Sequence, residues 1–132
     1  MKPSERRHFG QKLEEEAWLW LEQKQKDSEI PYRLLAKNFY ARRGELDLVM
    51  EEGAAPGVEL VIIEVRGRGE GAWQTHLEVI DFQKLQSLRR ATEAFLLQYQ
   101  GQARSLRIDL LFWDNGVWSW FRNIDPGVGC SK

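Results

Sequence analysis

The chain has 132 residues, of which 42% are hydrophobic and 30% charged, and its formal net charge is −1. These values predict one globular domain over residues 1–132, with loose tails at 1–8 and 124–132. They exclude a disordered chain and a protein that binds nucleic acid through bulk positive charge alone. The one cysteine excludes an intramolecular disulfide and a Cys-based zinc cage. No apolar run approaches the ~20 residues of a membrane span and no signal-peptide pattern opens the chain, so we expect a cytoplasmic protein without membrane contact.

The first half of the chain predicts one helix followed by three strands. Residues 11–26 carry apolar side chains at one-face helical spacing, with glutamates near the start and lysines near the end, as a helix dipole favours. Residues 30–41 are rich in β-forming side chains, 45–50 alternate, and the nearly continuous apolar run at 59–66 is typical of a central strand. Because the connections between these strands are short, we expect an antiparallel meander.

The second half predicts a helix followed by a hairpin. After a glycine-rich loop at 67–75, apolar residues recur at helical spacing over 81–99. Strands are predicted at 105–113 and Val117–Phe121, joined by the tight-turn sequence Asp114-Asn115-Gly116. The helix would act as a crossover that makes the next strand parallel to the central one. The predicted fold is therefore α/β, a mixed β-sheet flanked by helices in the order α-β-β-β-α-β-β.

Glu64 is a charged residue inside a strand that is otherwise apolar. An ionised carboxylate in such a strand is costly unless it is paired or holds a cation. Period-two geometry puts Glu64 on one face of the strand with Leu60, Ile62 and Arg66. Two explanations stay open for this residue taken alone: it marks a strand end that pairs with nearby charges, or it belongs to a functional site.

Asp47 interrupts the preceding strand in the same way. Alternation predicts two faces for this strand, with Leu46, Leu48 and Met50 on one and Glu45, Asp47 and Val49 on the other. Opposed residues on adjacent strands lie ~5 Å apart, so Asp47 and Glu64 could converge on one ion. One or two carboxylates, together with water and substrate phosphate, typically hold Mg²⁺, and such a site suits metal-assisted phosphodiester hydrolysis. A surface ion-pair cluster is the alternative.

Short motifs spread over residues 9–123 resemble those of the YraN-like family of bacterial proteins. That family is similar to the archaeal Holliday junction resolvases and to the restriction-endonuclease-like PD-(D/E)xK nucleases. Its signature GE(I/L)D…EVK is matched by GELDLV at 44–49 and IEVR at 63–66. Further matches are GQKLEEEA at 10–17, Lys37-Asn38, Lys84 and Arg107-Ile108-Asp109.

The resemblance implies a restriction-endonuclease-like domain that uses Mg²⁺ or Mn²⁺ to hydrolyse DNA, with branched DNA as a candidate substrate. Asp47 and Glu64 would hold the metal, Glu14 would assist from the first helix, and Arg66 stands where the family has lysine. Because arginine stays protonated and cannot act as a base, a nucleic-acid-binding module without turnover is the alternative. A protein-interaction domain with carboxylates on its surface is a third class.

Basic residues near these motifs are candidates for nucleic-acid contact. A compact basic patch would track phosphates even though the net charge is −1. The candidates are Lys37, Arg42, Arg43, Arg68 and Lys84. The tryptophans of the last hairpin favour core packing over base stacking, and the hairpin edge could also support a homodimer.

Overall fold

The computed structural model describes the backbone over residues 3–68 and 80–128, and the side chains of those ranges from residue 12 onward. In chain order the described elements are α1 (Pro3–Ser28), β1 (Tyr32–Ala41), β2 (Gly44–Glu52), β3 (Glu59–Arg68), α2 (Phe82–Gln98), β4 (Ser105–Asp114) and β5 (Val117–Phe121). The strands form one sheet in the order β1-β2-β3-β4-β5. The predicted α/β fold and the order α-β-β-β-α-β-β are confirmed. Most of the predicted glycine-rich loop lies outside the described residues.

The strand directions follow from the lengths of the connections. Short turns make β1, β2 and β3 an antiparallel meander. The long connection that contains α2 makes β4 parallel to β3, as the crossover prediction required. The turn at Asn115 and Gly116, where both residues have positive φ, returns the chain as β5, antiparallel to β4.

The two helices pack on opposite faces of the sheet. In β3, Val61 and Ile63 join one core cluster with α1, whereas Leu60 and Ile62 join the other with α2. This alternation confirms the predicted face of Glu64, whose side chain is directed towards α2 and contacts it. The central strand is therefore covered on both sides, which explains its nearly continuous apolar sequence.

The predicted alternation of β2 is wrong at Leu46. Leu48 and Met50 lie in the α1 cluster as expected, but Leu46 lies with Val49 in the α2 cluster. The alternation therefore breaks at Asp47, between Leu46 and Leu48. The reason is that β2 leaves its ladder with β3 at this point, so the strand no longer follows the pleat of its neighbour.

The described parts of both predicted tails are ordered. Helix α1 begins at Pro3, so residues 3–8 are helical rather than loose. The expected loose end at 124–132 packs through residue 128, because Asp125 is buried and forms a double ion pair with Arg89 of α2 at 2.6 Å. No helix among residues 3–68 and 80–128 is long and apolar enough to cross a bilayer.

The Arg-Ile-Asp motif of β4 has a structural role. The Nε of Arg107 donates to buried Asp109 at 3.0 Å, and its other nitrogens reach Glu52 and Glu59. Asp109 also accepts hydrogen bonds from Trp120 Nε1 at 2.8 Å and from a backbone amide at 2.9 Å. The network therefore ties β5, the end of β2 and the start of β3 to β4.

The aromatic residues of the last hairpin pack on the core. Trp113, Trp118 and Trp120 lie against the α1 cluster. Trp20 of α1 meets both Trp118 and Trp120, with ring centroids 6.3 Å apart in each pair. This arrangement confirms the preference for core packing over base stacking.

Candidate active site

The site lies where strands β2 and β3 part. The ladder between them ends at the pair Leu48 and Ile63. One residue further, Asp47 Oδ2 accepts a hydrogen bond from the backbone N–H of Val65 at 2.8 Å. The buried carboxylate thus satisfies a backbone donor that the separated strand no longer reaches. The parting of the strands opens the sheet where Asp47 and Glu64 meet.

Glu64 is buried in this opening between two cations. Its side chain is 2% exposed, and its Oε2 lies 2.9 Å from Lys84 Nζ and 3.2 Å from Arg66 Nη2. A carboxylate on a frayed strand end would be solvated instead. The surface ion-pair alternative therefore does not describe Glu64, which is paired but buried.

The start of α2 positions Lys84. Asp81 caps the helix, and its side chain accepts a hydrogen bond from the backbone N–H of Lys84 at 2.8 Å. One turn later, Ser87 Oγ donates to the Arg43 carbonyl at 3.1 Å. A Cβ at Gly44 would lie 2.5 Å from the backbone oxygen of Ser87, so only glycine permits this approach. The glycine of the GELD motif thus lets α2 pack against the β1–β2 turn.

Glu14 reaches the same opening from α1. Its carboxyl group is half-buried near Asp47 and the Asn38 side chain, both of which lower its pKa against the larger effect of burial. Among the described residues, no hydrogen-bond partner reaches its buried Oε2. Asn38 adopts φ +52° within β1, a left-handed conformation that asparagine tolerates better than most residues. The polar side chain of Asn38 thus lies close to Glu14.

The three carboxyl groups resist simultaneous ionisation. Burial, and to a smaller extent the neighbouring Asp47, raise the pKa of Glu64 to about 8 despite the opposing effect of Lys84 and Arg66. Burial likewise raises the pKa values of Asp47 and Glu14. Adjacent carboxylates in a site of low polarity favour a shared proton or a bound cation. In the absence of a cation, a proton on Glu64 can bridge to Asp47.

These groups line a cavity of about 130 Å³. Its lining residues are Leu13, Glu14, Glu45, Asp47, Glu64, Val65, Arg66 and Lys84. Among the described residues, no three His, Cys, Asp or Glu side chains are grouped so that together they could hold a metal ion. An open set of oxygen donors with an unpartnered oxygen on Glu14 nevertheless fits a hard cation that keeps waters and shares substrate phosphate.

A larger hollow of about 660 Å³ lies near the other end of β2. In its lining, Tyr99 donates to Glu51 and accepts from the Ala103 amide at 3.0 Å. It lacks the converging buried carboxylates of the smaller cavity. We therefore assign the candidate site to the smaller cavity.

The five residues predicted to contact nucleic acid fall into three groups. Lys37, Arg42 and Arg43 are exposed on β1 and on its turn into β2. Lys84 lies in the cavity itself. Arg68 forms a double hydrogen bond with Asp114 at 3.0–3.1 Å, so its guanidinium is already engaged in the sheet.

Two residues with polar side chains at the site were not among the predicted site residues. Glu45 lines the cavity, and Asn38 lies close to Glu14. Both lie within the short motifs that resemble those of the family, and this position could have identified them as site residues. What the sequence did not predict was the left-handed conformation of Asn38 and the opening of the sheet.

Comparison with known proteins gives a consistent family assignment. The model of "Uncharacterised protein family UPF0102" matches residues 13–112. A UPF0102 protein of Halorhodospira halophila is 34% identical over 117 residues, which cover 89% of this chain and 86% of that protein.

Relatives from pseudomonads match a shorter region. A UPF0102 protein of Ectopseudomonas mendocina is 44% identical over 72 residues, covering 54% of this chain and 57% of the relative. A UPF0102 protein of Pseudomonas paraeruginosa is 45% identical over 78 residues, covering 58% and 59%. These matches confirm the resemblance to the YraN-like proteins, and the chain belongs to the uncharacterised protein family UPF0102.

Proposed function

We propose that this protein is a metal-dependent DNA endonuclease that hydrolyses phosphodiester bonds with Mg²⁺ or Mn²⁺ and acts on branched DNA. The observation that carries the proposal is the convergence of Glu14, Asp47 and Glu64 at the opening between β2 and β3. Burying carboxyl groups together costs free energy, and a structural role would not require three of them. A hard cation would relieve that cost.

Asp47 and Glu64 are the residues that would hold the cation. When bound, a divalent cation would polarise the phosphate and lower the pKa of a water molecule. Val65 anchors Asp47 through its backbone amide, and Lys84 and Arg66 orient Glu64, so the ligand carboxylates are fixed before any cation arrives.

The remaining groups of the cavity suit substrate and water. The unpartnered Oε2 of Glu14 can accept a proton or a hydrogen bond from an attacking water. The two cations beside Glu64 suit the negative charge of a phosphate. Exposed Lys37, Arg42 and Arg43 would follow the flanking DNA backbone over a short footprint.

The alternative function is a nucleic-acid-binding module without turnover. It is favoured by one observation, the arginine at position 66 where the related families carry lysine. A protein-interaction role in which the carboxylates are solvated surface groups is disfavoured, because Asp47 is 7% and Glu64 1% exposed.

Cleavage assays distinguish these functions. A four-way junction, a flap, a duplex and a single strand are incubated with wild-type protein and Mg²⁺ or Mn²⁺. We expect cleavage of a branched substrate that Asp47→Asn abolishes, and the matched control Glu15→Gln, an exposed carboxylate beside Glu14, cleaves like wild type. Binding without cleavage of any substrate supports the binding module, and cleavage that survives Asp47→Asn rejects the proposed site.

A further inference from the structure

Two cations from different elements converge on a single oxygen atom in the candidate site. Arg66 follows Glu64 on β3, whereas Lys84 comes from the first turn of α2, and both contact Glu64 Oε2. Each of these cations has more N–H donors than this one contact uses. What the spare donors bind is inferred from the proposed function.

Lys84 is the inner of the two cations. Its side chain is 22% exposed, against 39% for Arg66. An ammonium group has three N–H donors, and the described contacts of Lys84 use one of them, on Glu64. The remaining donors of Lys84 can therefore reach a ligand in the cavity beside Asp47.

Arg66 occupies the outer position. Its Nη2 contacts Glu64, while its buried Nε has no hydrogen-bond partner among the described residues. A guanidinium offers several donors in one plane, which suits an approach to phosphate oxygens from one side. Such a group can hold a phosphate near the surface of the site, but it cannot replace a compact ammonium deeper in the cavity.

We propose that Lys84 binds a non-bridging oxygen of the phosphate that is cleaved, and that Arg66 clamps the same phosphate from the solvent side. The site then contains both a lysine and an arginine, supplied by different elements. The arginine at position 66 no longer implies a site without turnover.

The first test is kinetic and uses four variants of the full chain with Mg²⁺ and the substrate that wild type cleaves. Lys84→Gln should lower kcat by about 10²–10³-fold, the usual effect of removing one donor to a transition-state oxyanion. Arg66→Gln should raise KM about tenfold, the loss of one charge-assisted contact. Arg66→Lys should change kcat less than about threefold, because the ammonium is already present. Arg90→Gln, which removes an exposed cation from the same helix, is the matched control.

The outcomes of this test are distinct. If Arg66→Lys accelerates cleavage tenfold or more, or if Lys84→Gln leaves kcat unchanged, the inference is wrong. Glutamine at position 84 retains a hydrogen-bond donor for Glu64, which favours folding of the variant. If Lys84→Gln nevertheless does not fold, the effect of Arg66→Lys on kcat tests the inference alone.

The second test needs no turnover. The side-chain ammonium signals of ¹⁵N-lysine-labelled protein are followed by NMR as a thymidine dinucleotide phosphodiester is added without metal. The signal that is absent from Lys84→Gln should shift, whereas that of exposed Lys12 should not. If wild type cleaves nothing yet the Lys84 signal shifts, the proposed function fails and the phosphate subsite stands; no shift of the Lys84 signal overturns the subsite.

Discussion

Glu64→Gln removes the ionisable group that is buried between the two strands. In the folded protein the pKa of Glu64 is raised from 4.5 to about 8, chiefly by burial. A raised carboxyl pKa means that the protonated form is favoured in the folded state. The stabilisation that protonated Glu64 gives the folded state is therefore complete below pH 4.5 and is lost as the pH rises through 8. The rise corresponds to about 5 kcal/mol at most, since each pKa unit is worth about 1.36 kcal/mol.

Urea unfolding of metal-free protein at pH 5 and pH 9 measures this cost. Glutamine does not ionise, so the free energy of unfolding of Glu64→Gln relative to wild type should increase by several kcal/mol, ~3–5, between these pH values. Comparing the change with pH cancels any constant loss of hydrogen bonding in the variant. For the control variant Glu93→Gln, which changes an exposed carboxylate, the free energy of unfolding should change with pH as it does for wild type. If the wild type and Glu64→Gln profiles are parallel as well, Glu64 is not buried as a high-pKa carboxyl group and the description of the site is wrong.

Three further predictions test separate parts of the structure. Asp47→Asn should abolish Mn²⁺ binding measured by calorimetry, while Glu15→Gln should retain it. The Mn²⁺ affinity of wild type should rise with pH as the carboxyl groups lose protons. An unchanged affinity in Asp47→Asn would show that the metal binds elsewhere. Asn38→Ala should lower the free energy of unfolding in urea by about 1–2 kcal/mol, because alanine tolerates positive φ less well than asparagine and lacks the amide. Asn38→Gly should lose less stability, because glycine adopts positive φ without strain. Equal losses in the two variants would contradict this explanation. Arg107→Met should lower the free energy of unfolding by about 3–5 kcal/mol, because it leaves Asp109 buried without its cation. The variant protein that remains folded should bind Mn²⁺ like wild type. A selective loss of Mn²⁺ binding would show that the Arg-Ile-Asp motif is functional.

Local sequence patterns predicted most of the fold. The central strand was recognisable because it is covered on both faces, and the last hairpin because Asn115-Gly116 suits a turn that needs positive φ at both residues. The failure at Leu46 has a physical cause. Period-two alternation assumes a continuous ladder, and the departure of β2 from β3 at Asp47 is a property of three-dimensional packing that the alternation does not encode.

The candidate site was predicted in part. Asp47 and Glu64 were conspicuous because charged residues rarely interrupt apolar strands, and the structure brings them together in one cavity. The contact between Lys84 and Glu64 was not predicted, because the path of α2 relative to β3 cannot be read from a helix pattern. The hydrogen bonds between Arg68 and Asp114 depend on the parallel register of β3 and β4. The sequence of neither strand alone determines that register.

Diffraction from a crystal soaked in Mn²⁺, with data collected at the manganese absorption edge, tests the proposed metal site most directly. The site predicts an anomalous peak within coordination distance of the carboxylates of both Asp47 and Glu64, and the loss of that peak in crystals of Asp47→Asn. A peak bound elsewhere, or no peak at a Mn²⁺ concentration that supports cleavage, would contradict the assignment of these carboxylates to a metal.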